Sequence, residues 1–164
     1  MKKTALHIGS FRRLIIFFPD KNPNIPVNAI NLLKDNFQGL CDRIVHLDKS
    51  IRFAGLANSE GVLLGVAERE GLKPLLTPEQ RAQYAITAAT RQYTRLRWQY
   101  HLGKIHYASS HYSKLVRATI PITDSDNTLN YVLLLSFDAK TENIHEIITG
   151  RIIPEVKLSS SSLP

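Results

Sequence analysis

The sequence predicts an α/β domain of the α+β kind, with a central, mostly antiparallel five-stranded sheet and helices on its faces. Three observations carry this. Apolar residues recur at steps of three and four in three separate segments, the period of amphipathic helices. Between those segments lie short strand-like runs joined by polar turns, which argues for hairpins. The run Tyr131-Val132-Leu133-Leu134-Leu135 has no alternation, as a strand covered on both faces requires.

The first helix is expected from Val27 to Asp48, with Ile30, Leu33, Phe37, Leu40, Ile44 and Leu47 as its apolar stripe. Strands at Arg52 to Ala57 and Val62 to Glu68 flank the turn Asn58-Ser59-Glu60-Gly61. Gly55 and Gly65 lie inside these strands and mark either close helix packing or bulges. The second helix, over 78–101, has a clear start. Thr77 suits the N-cap, Pro78 the first turn and Gln80 the third position of a capping box. Ala82, Ile86, Ala89, Tyr93, Leu96 and Tyr100 are its expected buried stripe, and Gly103 its stop. Three strands follow: Lys104 to Ser110, Leu115 to Ile122 and Tyr131 to Asp138. The last helix, over 142–153, starts near Asn143, which has Glu146 three residues on. Pro154 is expected to stop it. The order is helix, strand, strand, helix, strand, strand, strand, helix.

The chain has 164 residues, 43% hydrophobic and 21% charged, enough for one domain with a real core. The organisation expected is a basic arm and linker over 1–26, one domain over 27–154 and a mobile Ser-rich tail over 155–164. The net charge is +7, and the arm holds more than half of it, with Lys2, Lys3, Arg12, Arg13 and Lys21 against Asp20. A mildly basic body is weaker evidence for nucleic acid than the total implies. Leu14 to Phe18 is too short for a signal-peptide core or a membrane span, so export and membrane insertion are not expected. The single cysteine, Cys41, fits a reducing, cytoplasmic setting.

The stretch Phe53-Ala54-Gly55-Leu56-Ala57-Asn58-Ser59-Glu60-Gly61-Val62-Leu63 and the ending Val132-Leu133-Leu134-Leu135-Ser136-Phe137-Asp138 resemble the roadblock/dynein light chain family, one of the profilin-like folds. The resemblance covers about residues 27–153. It implies a dimeric scaffold, often serving small GTPases, with the last strand in mid-sheet. Pro121 in the fourth strand then needs an explanation: either it lies past the paired part, or the strand order differs. Cys41-Asp42-Arg43-Ile44, Gly103-Lys104-Ile105-His106-Tyr107 and Arg117-Ala118-Thr119-Ile120-Pro121 also resemble small uncharacterised proteins of ammonia-oxidising archaea, a likeness that implies no activity.

No catalytic, metal or cofactor constellation stands out. No Gly-Lys-Ser/Thr follows Gly61 or Gly65, so a phosphate-binding loop is not expected. His101, His106 and His111 are five apart, a spacing that does not converge on a metal. Cys41 beside an apolar stripe reads as core. Asp124-Ser125-Asp126-Asn127-Thr128 lacks the Gly and Glu of a calcium loop and reads as a turn. Glu68 and Glu70 read as solvated charge.

The informative feature is on the second helix. Arg91, Arg95 and Trp98 share a stripe that Tyr84 and Ala88 extend. Arginine with aromatic residues suits a protein interface, and also phosphate contact and base stacking. A domain's only Trp is commonly core, and that alternative stays open for Trp98. The reading is a non-enzymatic, self-associating interaction or regulatory module with Tyr84, Arg91, Arg95 and Trp98 as partner-binding residues. A nucleic-acid-associated protein using the basic arm and the same helix is the rival.

Overall fold

In the computed structural model, β1 (Ile51–Asn58), β2 (Leu63–Glu68), β3 (Ala108–His111), β4 (Leu115–Thr123) and β5 (Leu129–Asp138) form one antiparallel sheet in the order β2-β1-β5-β4-β3. Residues 27–160 are described. The arm over 1–26, including the strand-like piece from Leu14 to Phe18, and residues 161–164 lie outside the described part, as does the side chain of Ile30. The apolar run of β5 lies in mid-sheet between β1 and β4, and all of the strand's side chains but Asn130 and Asp138 are buried. Pro121 sits opposite Val132 of β5, but β3 begins at Ala108, opposite Thr119, and its pairing with β4 does not reach Pro121. At Pro121 the strand β4 therefore has one neighbour, and the missing N–H needs no second partner.

Helix α1 (Val27–Val45) buries Phe37, Leu40, Cys41 and Ile44 against one face of the sheet. Gly65 permits this closeness. A Cβ there would meet the Phe37 carbonyl oxygen at 2.7 Å. The same face is completed by a C-terminal helix that differs from expectation. Helix α4 (Ile144–Ile147) passes through a π-helical turn at Ile148–Ile152 into α5 (Ile153–Ser160). Pro154 does not stop it. A proline clashes with the carbonyl four residues back, and the widened turn, with Ile153 N–H bonded to the Ile148 carbonyl, relieves that constraint. The expected mobile tail is thus helical as far as Ser160. Val156 and Ser159 are buried, and Glu155 pairs with Arg43 of α1 at 2.7 Å. Asn143 does stand at the N-cap of α4, but its side chain makes no capping bond.

Helix α2 (Pro78–Leu96) crosses the opposite face. The capping box is formed, with Thr77 and Gln80 bonded reciprocally. Its buried stripe is not the expected one. Ala85, Ala88, Ala89 and Gln92 face the sheet, whereas Ile86 and Tyr93 are 48% and 46% exposed. Small residues let the helix approach closely, and the bulky apolar ones are turned to the outer flank. At the β1–β2 turn, Gly61 (φ +85°) lies so close to the helix that a Cβ would meet the Ile86 Cα at 2.4 Å. α2 also ends earlier than expected. A short helix, α3 (Gln99–Leu102), follows a break at Arg97 and Trp98, so Tyr100 is lost from any α2 stripe, and Gly103 (φ +85°) ends α3. β3 starts at Ala108 rather than at Lys104.

Candidate functional site

The partner-binding residues read from the sequence fall on the flank of α2 that faces β4 and β3. Tyr84, Arg91 and Arg95 line a shallow groove with Ala108 and Ser110 of β3 and Arg117 and Thr119 of β4. Trp98 is not a lining residue. It stands beyond the end of α2, 58% exposed, so it is not the core residue that a lone Trp suggests. Ala88 is buried under the same flank and does not extend the exposed stripe.

Arg117 is the residue that the sequence reading misses. Its guanidinium carbon lies 3.5 Å from the centroid of the Tyr84 ring, a stacked cation–π contact. The available signal is alternation. Leu115, Arg117 and Thr119 share one face of β4, and an arginine on a strand face that packs toward an aromatic helix flank needs a partner of this kind. The Tyr84–Arg117 pair also separates the groove from a second cleft that is open to solvent. That cleft lies under Leu72, Pro74 and Leu75 of the β2–α2 loop, with Phe53, Ser136 and Arg81 beneath. Arg81 stacks over Phe53 at 5.7 Å and pairs with Glu68 at 3.0 Å, which accounts for the carboxylate of Glu68.

Charge is unevenly satisfied. Arg43, Arg52, Arg69, Arg81 and Arg151 each have a carboxylate within 3.1 Å. Among the described residues, Arg91, Arg95, Arg97 and Arg117 have no carboxylate partner; Arg91, Arg95 and Arg117 line the groove, and no acidic residue does. Beneath it, Gln92 is fully buried. Its Oε1 accepts from Arg95 at 3.2 Å and from Thr119 at 3.4 Å, and its Nε2 has no partner.

The two edges of the sheet differ as well. On β2, the Gln38 side chain behaves as a strand: Nε2 donates to the Val66 carbonyl at 2.8 Å and Oε1 accepts from the Val66 N–H at 3.1 Å. β3, at the other edge, pairs only with β4 among the described residues. The open edge is therefore the one beside the arginine groove.

Other candidate chemistry has a structural explanation. Cys41 is fully buried, and burial pushes its thiol up to about 12, far from a thiolate. Asp124 accepts from the N–H groups of Asp126 and Thr128, an Asx turn. Among the described residues, no three His, Cys, Asp or Glu side chains come together as a metal site. No described helix is long and apolar enough to cross a membrane.

No family model matches the sequence, and no curated protein does. Solved structures do match. A Roadblock/LC7 domain from Streptomyces avermitilis superposes with a TM-score of 0.59 at 12% identity, over 77% of this chain and 96% of that one. The gliding protein MglB from Thermus thermophilus gives 0.57 at 14%, over 79% and 87%. A structure described as MglB with tetrameric arrangement gives 0.57 at 14%, over 80% and 87%. At these identities the likeness is one of fold, and the fold is roadblock-like, as the strand order and the helix placement require.

Proposed function

We propose that this chain is a non-enzymatic protein-interaction or regulatory module whose working surface is the β3-side flank of α2 together with the open β3 edge. The observation that carries this reading is the asymmetry of the sheet edges. The Gln38 side chain occupies the Val66 N–H and carbonyl at the β2 edge, while β3 is left beside a polar groove that includes Tyr84, Arg91 and Arg95. Trp98 at the end of the same flank adds an exposed aromatic anchor of the kind that dominates interfaces. Two kinds of partner fall within the reading: a second copy of the chain, as the arrangement of the tetrameric MglB structure suggests, or another protein, such as the small GTPases that roadblock modules serve.

The unpaired arginines also fit a phosphate backbone, so the test must separate protein from nucleic acid. Self-association by sedimentation and binding to a mixed-sequence duplex are measured at low and near-physiological salt. An aromatic and arginine interface keeps much of its strength in salt because apolar burial supplies it. Phosphate contacts lose affinity steeply as counterions compete. Salt-tolerant association weakened by Trp98→Ala supports the module. Tight duplex binding at low salt, abolished by Arg91→Ala with Arg95→Ala, overturns it in favour of a nucleic-acid role.

A further inference from the structure

We infer that the cleft beneath the β2–α2 loop binds a small aliphatic carboxylate, its head group held by Ser136 and Arg117 and its chain laid on Phe53 and the leucines around it. The inference goes beyond the interaction-module reading and does not depend on it. Its geometry starts from the sheet register. Phe53 of β1 and Arg117 of β4 both pair with Ser136 of β5, so the three form one row across the sheet. All three line the cleft. Paired residues on neighbouring strands stand about 5 Å apart, so one carboxylate can touch Ser136 and Arg117 together. The short side chain at the centre of the row, between two long ones, leaves a dip in the cleft floor.

The first pointer to a ligand is Ser136 itself. The residue is 6% exposed, and its hydroxyl, at the cleft floor, has no hydrogen-bond partner among the described residues. A buried hydroxyl without a partner is destabilising, and alanine would fill the same place on a central strand without that effect. The second pointer is charge. Arg52, Lys73, Arg81 and Arg117 line the cleft against one carboxylate, Glu68. Arg52 and Arg81 are already paired, with Asp138 at 2.8 Å and with Glu68 at 3.0 Å. Arg117 and Lys73 have no carboxylate among the described residues. Arg117 is stacked on the Tyr84 ring, which orders its guanidinium before a ligand arrives.

The chemical class follows from what surrounds these donors. One unpaired guanidinium and a hydroxyl, with an exposed lysine nearby, balance a monoanion. A phosphate calls for more charge or for a run of backbone N–H groups. The rest of the lining is apolar and largely aliphatic, with Leu115 and Leu134 from the sheet and Leu72 and Leu75 from the loop. Leu75 is 49% exposed, so the loop leaves apolar surface that a ligand's chain can cover. An apolar lining with a few placed polar groups is the make-up of small-molecule sites.

The test uses the full chain, with sodium hexanoate and hexanamide as probes at matched ionic strength, titrated by amide chemical shifts in NMR spectra. The probes differ only in the charged head. Hexanoate should bind at least about tenfold tighter, because hydrogen bonds to a charged group are the stronger kind. Arg117→Gln should bring the two probes within about twofold of each other. Ser136→Ala should weaken hexanoate by about fivefold or more and leave the urea midpoint unchanged or raised, since the hydroxyl has no partner to lose. A urea melt checks that Arg117→Gln folds, and Ser136→Ala carries the test where it does not. Equal binding of the two probes, binding of neither, or unchanged hexanoate affinity in Ser136→Ala overturns the inference. A lowered urea midpoint in Ser136→Ala overturns it too, because the hydroxyl then serves the fold. So does a loss of hexanoate affinity in Arg91→Gln as large as in Arg117→Gln, since Arg91 lines only the neighbouring groove and the anion then sits there. None of these results bears on the salt test of the module reading.

Discussion

On one face of the sheet, α1 and the α4–α5 helix bury Phe37, Leu40, Ile44, Ile147, Ile148 and Ile152 against Leu133, Leu135 and Phe137. On the other, α2 offers Ala85, Ala88 and Ala89 to Val132 and Leu134, and the same layer holds Gln92 with an unpartnered amide. The first face is filled by large side chains without a break. The second is thin, partly open and fringed with unpaired arginine. The difference teaches that the two sides of the sheet contribute unequally to stability. The α1 side carries the large apolar packing, and the α2 side, where the proposed working surface lies, is packed with small residues.

The sharpest way to break this comparison lies within β5, where neighbouring leucines point to opposite faces. Leu135 belongs to the α1 side and Leu134 to the α2 side, each 2% exposed. Leu135→Ala should cost about 4 kcal/mol, because its closed surroundings leave a cavity. Leu134→Ala should cost roughly half of that, at about 2 kcal/mol, because Leu134 also lines the solvent-open cleft and water can enter the space. Urea denaturation of both variants decides the matter. Equal losses would mean that the two faces contribute alike.

Glycines sharpen it next. Gly65→Ala drives a methyl group into the backbone of α1, and should cost about 1–3 kcal/mol by overpacking. Gly71 has φ +74° but nothing within 4 Å, so Gly71→Ala should cost only about 1 kcal/mol from backbone conformation. Thermal melts of the two variants give the order. A Gly65→Ala protein as stable as Gly71→Ala would show that α1 is free to shift away from β2.

Most of the fold is legible in the sequence, and the failures have physical causes. The α1 stripe and the β5 run can be read because large apolar side chains and burial coincide there. The α2 stripe is misread because a helix set close to a sheet buries small residues and turns Ile86 and Tyr93 outward, so size and burial part company. Pro154 reads as a stop because a π turn has no sequence period of its own. Tyr84, Arg91 and Arg95 come together on one flank as their local helical spacing implies, whereas Arg117 joins them only through the pairing of β4 with β5, which depends on residues distant in the chain.

Gln92 gives a smaller effect that tests the division directly. A buried amide N–H without a partner is destabilising, and Met has a similar shape without the polar group. Gln92→Met removes that amide but also the acceptor of Arg95 and Thr119, so the two effects should nearly offset and stability should change by no more than about 1 kcal/mol. Urea midpoints of the variant and the wild type check this. A substantial loss of stability would place Gln92 among the residues that hold the domain together.

The smallest expected effect concerns charge at the far end of β5. Asp138 accepts from Arg69 at 2.8 and 3.1 Å and from Arg52 at 2.8 Å, tying the ends of β1, β2 and β5 together. The hydrogen bond from Arg69 comes first, with that from Arg52 and both positive charges added, in holding the carboxyl below its ordinary value of 3.8 against the opposing effect of burial. A carboxyl whose folded pKa is depressed favours the folded state above its unfolded pKa. That contribution is lost as pH falls from the unfolded value through the lower folded one. Because the Asp138 side chain is 39% exposed, solvent screens the pair, and its share should be about 1 kcal/mol or less. Urea midpoints of the wild type and Asp138→Asn, measured at about pH 7 and about pH 3, should differ at the higher pH and converge at the lower. A gap that persists unchanged in acid would mean that Asp138 acts through packing or its neutral hydrogen bonds, and that the arginine-rich character of the α2 side has no counterpart in the charge that steadies the strand ends.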